Sequence, residues 1–233
     1  MSESITVIPN GPYQVTPDTK MSIQSIGADA NKISTQWLQG SEYPEKMTPY
    51  FLCRCGQSAN KPYCDGAHEA AHFTGNETAD RTPYVQRAKK IEGEAVDLLD
   101  DDRCAQLRFC DGGIRAWNLA IKSGDPNNLE LAKQECANCS SGRLTLMQKD
   151  GTLIEADLPK EIGAIQDIPR GIRGPLKVTG GIPLTGADGQ PYETRNRYTL
   201  CRCGLSQNKP FCDTRHINCP HMQGFDVETA TAQ

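Results

Sequence analysis

Two short stretches of the chain combine cysteine and histidine in a way that is typical of metal-binding loops. In each stretch a Cys-x-Cys pair is followed by a third Cys and then, after three further residues, by a His. Three thiolates and one imidazole are donors that suit a tetrahedral zinc ion or an iron–sulfur cluster. The candidate ligands are Cys53, Cys55, Cys64 and His68 in the first stretch, and Cys201, Cys203, Cys212 and His216 in the second.

The two stretches are copies of one motif. Residues 53–65 and 201–213 share the three Cys, an Arg, a Gly, a Ser, an Asn-Lys-Pro run and an Asp at matching positions. Upstream, the Gly-Pro-x-x-Val-Thr segment at 11–16 returns at 174–179. Similarity of this kind within one chain indicates an internal repeat.

The spacing of the ligands favours a cluster over a zinc ion. Structural zinc sites typically place two to four residues between paired thiolates, whereas one residue separates Cys53 from Cys55. Asp65 can cap a short helix that carries the His one turn later, on the same face as the preceding Cys. Cys64 and His68 would then point the same way, and the second copy has the same pattern. The residues alone leave both kinds of metal site open.

The shared pattern Cys-x-Cys-x2-Ser-x3-Pro-x-Cys-Asp-x-x-His resembles the CDGSH iron–sulfur family, which includes mitoNEET-like proteins. The first copy reads Cys-Asp-Gly-Ala-His, close to the family signature, and the second has Thr214 and Arg215 in place of the small residues. The resemblance implies a 2Fe-2S cluster at each copy, bound by its three Cys and one His. It also implies that the Cys-x-Cys pair binds one iron and that the later Cys and His bind the other.

This ligand set has consequences for the expected chemistry. A cluster with three thiolates and a neutral His carries less negative charge than one with four thiolates, so it is reduced more easily, as in Rieske centres. A His ligand can also be protonated near physiological pH, in competition with iron. We therefore expect pH-dependent reduction and loss of the clusters in acid.

Other residues of the motif are expected to lie near the clusters. The cationic side chains at matching positions either tune the clusters and dock a partner or are solvated surface charges. The serines are expected to donate hydrogen bonds to cluster sulfur, with stabilisation of the loop as the alternative. These residues are Arg54, Lys61, Arg202 and Lys209 for the cations, and Ser58 and Ser206 for the hydroxyls.

Four more cysteines lie between the copies, at Cys104, Cys110, Cys136 and Cys139. The Cys104-x5-Cys110 spacing followed by Cys139 resembles small single-cluster ferredoxin modules of a divergent 4Fe-4S type. The segment departs from that pattern at Ser140, where Pro is usual, and at Leu107, which stands at the position of a middle ligand. Three alternatives follow: Cys136 is the fourth ligand of a third cluster, the site holds a three-iron cluster, or the thiols only pack in the interior or pair with one another.

Local signals predict β-rich repeats and a partly helical insert. The Gly-Pro segments and the runs that enter each first Cys suit short strands. Asp125-Pro126 is typical of a helix start, and Asp150-Gly151 of a hairpin turn. The predicted elements are strands at 49–52 and 197–200, helices at 103–109 and 129–135, a hairpin of 144–147 with 152–154, and a linker at 168–174.

We therefore predict an α+β protein with three units. Residues 1–80 form the first CDGSH unit, 81–170 a ferredoxin-like α+β module and 171–233 the second CDGSH unit. CDGSH proteins often pair two motifs, so the repeats are expected to pack as an intramolecular pseudo-dimer with the middle module as an insertion, which suits a monomer. Three separate units on a string are the alternative.

Composition excludes several classes of protein. The 233 residues have a net charge of −4, so there is no overall positive field for nucleic acid. The N-terminal residues show no signal sequence, and no window has the ~18 apolar residues of a membrane span. An odd count of 11 Cys fits metal ligation or redox chemistry in a reducing compartment better than disulfides. We expect a cytoplasmic protein with no membrane or nucleic-acid partner.

The expected function is electron transfer or cluster transfer by two 2Fe-2S clusters. No nucleophile–base pair, phosphate-binding Gly loop or dinucleotide fingerprint is present, so an autonomous enzyme is disfavoured. The expected partner is a redox protein or an acceptor that lacks its cluster. The alternatives are a sensor of redox state, iron or pH that acts through partner binding, and a structural zinc protein.

Overall fold

The computed structural model describes residues 3–16, 19–44 and 48–225, and within these ranges strands outnumber helices. This agrees with the predicted α+β class and β-rich repeats. No helix in these ranges is long and apolar enough to cross a lipid bilayer. The strands are β1 (Ser4–Val7), β2 (Tyr13–Thr16), β3 (Lys20–Ala28), β4 (Ser34–Glu42), β5 (Tyr50–Leu52), β6 (Lys89–Ile91), β7 (Val96–Asp100), β8 (Leu144–Gln148), β9 (Leu153–Ile154), β10 (Glu161–Asp167), β11 (Ile172–Thr179), β12 (Leu184–Thr185) and β13 (Arg197–Leu200). The helices are α1 (Ala67–Ala70), α2 (Tyr84–Arg87), α3 (Ala116–Ile121) and α4 (Pro126–Asn138), with 3-10 turns at Ile168–Arg170, Arg215–Asn218 and Pro220–Met222.

Two of the three sheets contain strands from both repeats. One has the order β12-β1-β2-β5 and the other the order β13-β11-β10-β3-β4. In the first sheet, β1, β2 and β5 of the first repeat are antiparallel, and β12 of the second repeat is added in parallel. In the second sheet, β10, β11 and β13 are antiparallel, and the antiparallel pair β3–β4 of the first repeat is added through a parallel pairing of β3 with β10. Ile5 of β1 lies opposite Leu184 of β12, and Ile162 of β10 lies opposite Met21 of β3. The repeats therefore share their backbone hydrogen bonds and cannot separate without breaking both sheets.

One hydrophobic cluster joins the two repeats. Strand β2 alternates between buried and half-buried residues, which places Tyr13 and Val15 in the core. Such alternation is typical of a strand with one face on the core. Leu176 and Val178 of β11 belong to the same cluster. Because burying one such side chain contributes about 1.5–3 kcal/mol, this shared core stabilises both repeats together.

Strands β3 and β4 are not predicted from the sequence. Strand β3 lies between β10 and β4 and is buried over most of its length, whereas β4 is an edge strand whose residues are mostly exposed. A central strand covered on both faces does not alternate. Several of the buried residues in β3 are polar, among them Ser22 and Gln24. Neither strand therefore carries the pattern of a half-buried strand. In addition, β10, one of the two partners of β3, is distant in sequence.

The third sheet, with the order β6-β7-β8-β9, belongs to the middle segment alone and shares a core with α3 and α4. The second predicted helix is confirmed as α4, which begins after Asp125. The Asp125 carboxylate accepts a hydrogen bond of 2.8 Å from the backbone N–H of Asn127. The predicted hairpin is also confirmed, since β8 pairs with β9 and Gly151 in the turn has a φ of 91°.

The helix predicted at 103–109 is wrong. These residues form an irregular loop in which Gln106 and Arg108 have left-handed φ values of 53° and 69°. Every second residue is buried, a period that helices do not have. The buried side chains pack on β3 and β10, and this tertiary contact outweighs the local helix preference. They are Ala105, Leu107 and Phe109, which lie in one cluster with Ile26 and Ile165.

The linker predicted at 168–174 is also wrong, because these residues complete a tight hairpin of β10 and β11. The 3-10 turn Ile168–Arg170 ends at Gly171 with a φ of 68°, and β11 begins at Ile172. Strand β10 lies within residues 81–170, but both of its partner strands belong to the repeats. The middle module thus consists of β6 to β9 with α3 and α4.

Candidate metal centres

The first set of predicted ligands lies in the loop between β5 and α1. Cys53 follows the last residue of β5, and its Sγ atom is 3.8 Å from that of Cys55. Cys64 Sγ is 3.4 Å from Nδ1 of His68, which α1 presents one turn later. The predicted helix and the shared direction of Cys64 and His68 are therefore present.

The second set has the same arrangement after β13. The Sγ atoms of Cys201 and Cys203 are 3.6 Å apart. Cys212 Sγ is 3.4 Å from Nδ1 of His216, which lies in the 3-10 turn Arg215–Asn218. Within residues 3–16, 19–44 and 48–225, no group of three or more His, Cys, Asp or Glu side chains is arranged around a single metal ion. Each site instead presents two close pairs of donors.

The pairs have the spacing that two ligands of one metal atom require. Two sulfur donors at about 2.3 Å from a tetrahedral metal lie about 3.8 Å apart, and a sulfur and an imidazole nitrogen about 3.6 Å apart. The four observed distances of 3.8, 3.4, 3.6 and 3.4 Å are close to these values. The donor set of each site therefore fits a group with two metal atoms, each held by one pair.

Backbone contacts fix the ends of both loops. The N–H of Cys53 donates to the carbonyl of Pro62, and that of Cys201 to the carbonyl of Pro210, both at 2.8 Å. Asp65 accepts hydrogen bonds from the N–H groups of Ala59 and Ala67. Its counterpart accepts from the matching positions of the second copy. One carboxylate thus ties the loop to the start of the helical turn that carries the His.

The serines of the motif bind the loop backbone, so the expectation that they donate to cluster sulfur is wrong. The hydroxyl of Ser58 donates to the carbonyl of Tyr63 at 2.6 Å and accepts from the N–H of Asn60 at 3.0 Å. Ser206 makes the same two contacts, with Phe211 and Asn208. Each hydroxyl already donates its proton to a backbone carbonyl. The serines therefore stabilise the loop, which is the alternative expectation.

The arginines of the motif are buried clamps rather than surface charges. Arg54 is 1% exposed and donates to backbone carbonyls of residues 8, 11 and 75. Arg202 is 2% exposed and donates to the carbonyls of Gly174 and Ile165. Each guanidinium holds the Cys-x-Cys turn against a neighbouring segment. The lysines reach the loop itself, since Lys61 Nζ donates to the carbonyl of Ser58 at 2.6 Å, a contact repeated by Lys209.

The Cys-x-Cys pairs hold one thiol that ionises readily. Hydrogen bonding from Cys55 lowers the pKa of Cys53 to about 6, and hydrogen bonding from Cys203 lowers the pKa of Cys201 to about 6. A thiolate is the form that binds metal. Burial lowers the pKa of His216 to about 4, which keeps this imidazole neutral. In each pair the hydrogen bond favours the thiolate of one sulfur only, because it raises the pKa of the other thiol, Cys55 or Cys203.

The two sites differ in exposure. His68 and Cys64 are partly exposed, whereas His216 is 1% and Cys212 is 3% exposed. The loop of the middle segment covers the second site, because Cys212 packs with Leu107 and other apolar residues of that loop. The first site has no such cover among the described residues, and its Cys–His edge faces outward.

Thr214 occupies a position where the first copy has a glycine. Its φ is 79°, close to the 87° of Gly66. The turn before the ligand His therefore has the same left-handed geometry in both copies, although a β-branched residue adopts that conformation at a cost of about 1–2 kcal/mol. The substitution noted in the sequence does not change the ligand geometry, as the equal distances of 3.4 Å in the two copies show.

The two Cys-x-Cys turns touch each other. A Cβ atom on Gly56 would lie 2.8 Å from the carbonyl oxygen of Cys203, and one on Gly204 would lie 2.5 Å from that of Cys55. The hydroxyl of Tyr13, in the first repeat, donates to the carbonyls of Cys201 at 2.8 Å and Pro210 at 3.0 Å. Backbone from each half therefore supports the cluster loop of the other.

Cys219 is a buried neighbour of the second site that the motif does not reveal. It belongs to neither motif, and it is a free thiol in the structure. Its side chain is 0% exposed, and its Sγ atom is 3.9 Å from the carbonyl oxygen of Cys203. The matching position of the first copy is Ala71. Only the spatial fold brings this extra sulfur to the second site.

The middle cysteines are only partly brought together. Cys104, Cys110 and Cys139 line one cavity between the irregular loop and the end of α4. Cys136 is buried instead among the side chains that join α4 to the third sheet. All four are free thiols. Cys136 therefore does not line the cavity, although Cys110 and Cys139 pack against the core cluster that contains it.

Comparison with known proteins agrees with the geometry of the two repeats. No curated protein and no solved structure gives a significant match to the chain. The family described as the iron-binding zinc finger of CDGSH type matches residues 10–69 and 173–217. These two ranges contain all eight predicted ligands and leave the middle segment unmatched. Two segments of the chain, one at each copy of the motif, therefore match the CDGSH type of iron-binding domain.

Proposed function

We propose that the chain binds two 2Fe-2S clusters, each through three Cys and one His, and carries single electrons. The observation that carries this proposal is the pairing of donors at 3.4–3.8 Å in both copies. When bound, such a cluster accepts and releases one electron without bonding to a substrate. The ligands would be Cys53, Cys55, Cys64 and His68 at one site, and Cys201, Cys203, Cys212 and His216 at the other.

Burial of the second site supports electron transfer over release of the whole cluster. An electron can cross a few layers of packed side chains, whereas an entire cluster needs an open path. Cys212 and His216 are almost fully buried under the middle loop. The partner for this activity is a redox protein, and we propose that the chain is a carrier rather than an enzyme.

Cluster donation is a second candidate, and it concerns the first site. Cys64 and His68 are partly exposed, so a partner without its cluster can reach these two ligands directly. Exchange of ligands at that edge would release the cluster. This activity would belong to one site of the two, whereas electron transfer would use both.

We further propose that the two repeats form an intramolecular pseudo-dimer, so that a monomer holds both sites. The parallel pairing of β1 with β12 and of β10 with β3 supports this arrangement, because each repeat lends a strand to the other. The reciprocal contact of the turns at Gly56 and Gly204 supports it further. Units on a string would make neither contact.

The zinc and sensor alternatives have less support. A single tetrahedral zinc ion needs four donors around one point, whereas each site consists of two pairs. No feature of the described residues favours a sensor role over a carrier. We place the protein in a reducing compartment such as the cytoplasm, in keeping with its eleven free thiols.

The test is metal analysis of the full chain purified without oxygen. We expect at least about four iron and four sulfide per chain, with a visible spectrum that bleaches on reduction and returns on oxidation. Zinc without sulfide would refute the proposal. Reversible reduction with the iron retained supports electron transfer. Rapid loss of iron from the first site to an acceptor protein lacking its cluster supports cluster donation instead.

A further inference from the structure

Contacts made by its central residues fix the conformation of the irregular loop at 104–110. The Oγ atom of Ser34, in β4, donates to the carbonyl of Leu107 at 2.6 Å. Arg108 binds both carboxylate oxygens of the fully buried Asp167 at 2.9 Å. The ring of Phe109 stacks on Trp37 at 4.7 Å. Because the centre of the loop is fixed to the second sheet, the two cysteines at its ends are presented together at the cavity.

The third thiol of the cavity is held by a different clamp. Arg197 of β13 is 2% exposed, and its guanidinium donates to the carbonyls of Cys139 at 2.8 Å and Cys136 at 2.6 Å. This buried arginine fixes the end of α4 and the turn that follows it. Two separate guanidinium groups, the partly exposed Arg108 and the buried Arg197, therefore determine where the cavity lies.

The environment of Cys104 repeats a feature of the CDGSH sites. The backbone N–H of Gln106 donates to Cys104 Sγ at 3.1 Å, as the N–H of Gln57 donates to Cys55 Sγ at 3.4 Å. Hydrogen bonds of this kind stabilise a thiolate that binds metal. This loop geometry requires left-handed φ values at Gln106 and Arg108, which are strained for residues other than glycine.

We propose that Cys104, Cys110 and Cys139 bind a third iron–sulfur cluster, and that it contains three iron atoms. The three thiols line one cavity, but they do not surround a single point in the way that one metal ion needs, since the described residues hold no such group. Separate irons, each taking one thiolate with loss of its proton to solvent, fit this spread. Leu107 occupies the position of the middle ligand and has no donor atom. Cys136 does not line the cavity.

Charge in the neighbourhood suits an anionic cluster. The guanidinium of Arg143 lines the same cavity and is held by Asp100 through bonds of 2.6 and 2.8 Å. Its positive charge would offset part of the negative charge that three thiolates bring to a cluster.

Electron paramagnetic resonance of the oxidised full chain tests the proposal. Three coupled ferric ions carry an odd number of electrons and give a signal, whereas an oxidised 2Fe-2S cluster is silent. We expect an oxidised-state signal of about one spin per chain, with about seven iron in total. Oxidised protein that is silent and contains about four iron would overturn the third site and leave the two CDGSH clusters standing.

Variants identify the ligands. Cys139→Ala is expected to abolish the oxidised-state signal and to remove about three iron, while the signal of the reduced CDGSH clusters remains as proof of folding. The matched control Cys136→Ala should keep the oxidised signal, and its loss there would overturn the assignment of three ligands. Leu107→Cys supplies a fourth thiolate and should convert the site to a four-iron cluster that is silent when oxidised. An unchanged signal in this variant would show that the side chain at position 107 does not reach the cluster.

Discussion

At the scale of single residues, the cluster loops are stabilised by polar side chains that contact backbone rather than ligands. Ser58 and Asp65 bind N–H and carbonyl groups of their own loop, and Arg54 binds carbonyls of distant segments. An unpaired buried polar group costs about 1–3 kcal/mol, so the buried side chains of Ser58 and Arg54 remove a penalty that the loop would otherwise carry. Their role is to hold the ligands in place before metal binds.

Replacing Ser58 by alanine should weaken the loop without altering the cluster. The variant loses the donor to the Tyr63 carbonyl and the acceptor for the Asn60 N–H. We expect the free energy of unfolding to fall by about 1 kcal/mol, measured by urea unfolding, and the reduction potential to stay unchanged. Ser206→Ala is the matched variant of the second site. A shifted potential with unchanged stability would show that the hydroxyl bonds to cluster sulfur after all.

The contact between the two Cys-x-Cys turns depends on the absence of a side chain at Gly56. Gly56 and Gly66 have similar left-handed φ values of 81° and 87°, but a Cβ on Gly66 would meet nothing within 4 Å. We therefore expect Gly66→Ala to lower the free energy of unfolding by about 1 kcal/mol, the conformational cost alone. Gly56→Ala adds a clash with the backbone of Cys203 and should lower it by about 3 kcal/mol in total. Equal losses would contradict the packing of the turns.

At the scale of elements, β2 of one repeat supports the cluster loop of the other. The Tyr13 hydroxyl is buried and donates to two carbonyls of the second loop. Tyr13→Phe keeps the ring but removes the donor, so we expect a loss of about 1–2 kcal/mol in stability. We also expect the second site to lose iron faster than it does in the unchanged protein. Urea unfolding measures the loss of stability, and visible absorbance during mild heating measures the loss of iron.

Tyr50→Phe is the control for this prediction. Its hydroxyl is also buried but donates to Thr19 within the first repeat. It should therefore leave the second cluster unaffected. If Tyr13→Phe and Tyr50→Phe release iron from the second site at the same rate, the hydrogen bonds across the repeats do not stabilise that loop.

Local signals predict the elements whose stabilisation is local. The cap at Asp125, the hairpin turn at Gly151 and the strands that enter each first Cys follow from short patterns of residues, and the structure contains them. All eight candidate ligands of the repeats are recognised in the same way, because their spacing is set within a single loop and turn. The matched family confirms the motif that carries them.

The features that the sequence does not reveal depend on distant partners. The loop at 103–109 has residues that favour a helix, but contacts with β3 and β10 decide its conformation. One of the two partners of β3, strand β10, lies more than a hundred residues away along the chain. Cys219 reaches the second site only because the 3-10 turns fold back over it. No local pattern records such contacts.

At the scale of the whole molecule, two nearly identical motifs are placed in different surroundings. The ligand distances are almost equal, but the loop of the middle segment covers the second site and leaves the edge of the first site partly exposed. A repeated motif therefore yields two centres that differ in access rather than in ligands. This difference separates the roles proposed for the two sites, since exposure favours exchange of ligands and burial favours retention of the cluster.

An iron chelator should distinguish the two sites by rate. In the Cys139→Ala background, which removes the proposed third cluster, we expect bleaching of visible absorbance in two phases of equal size. The faster phase belongs to the first site, because its Cys64–His68 edge is partly exposed while His216 is 1% exposed. His68→Ala should remove the fast phase and His216→Ala the slow one.

The middle loop is expected to be the cause of the slow phase. Phe109→Ala in the same background removes the ring that stacks on Trp37 and packs in the cluster covering Cys212. Because the loop then covers the second site less tightly, the slow phase should become several-fold faster while the fast phase keeps its rate. Acceleration of both phases would mean that Phe109 supports the whole fold rather than the cover. A slow phase that does not change would show that access to the second site is controlled by its own repeat.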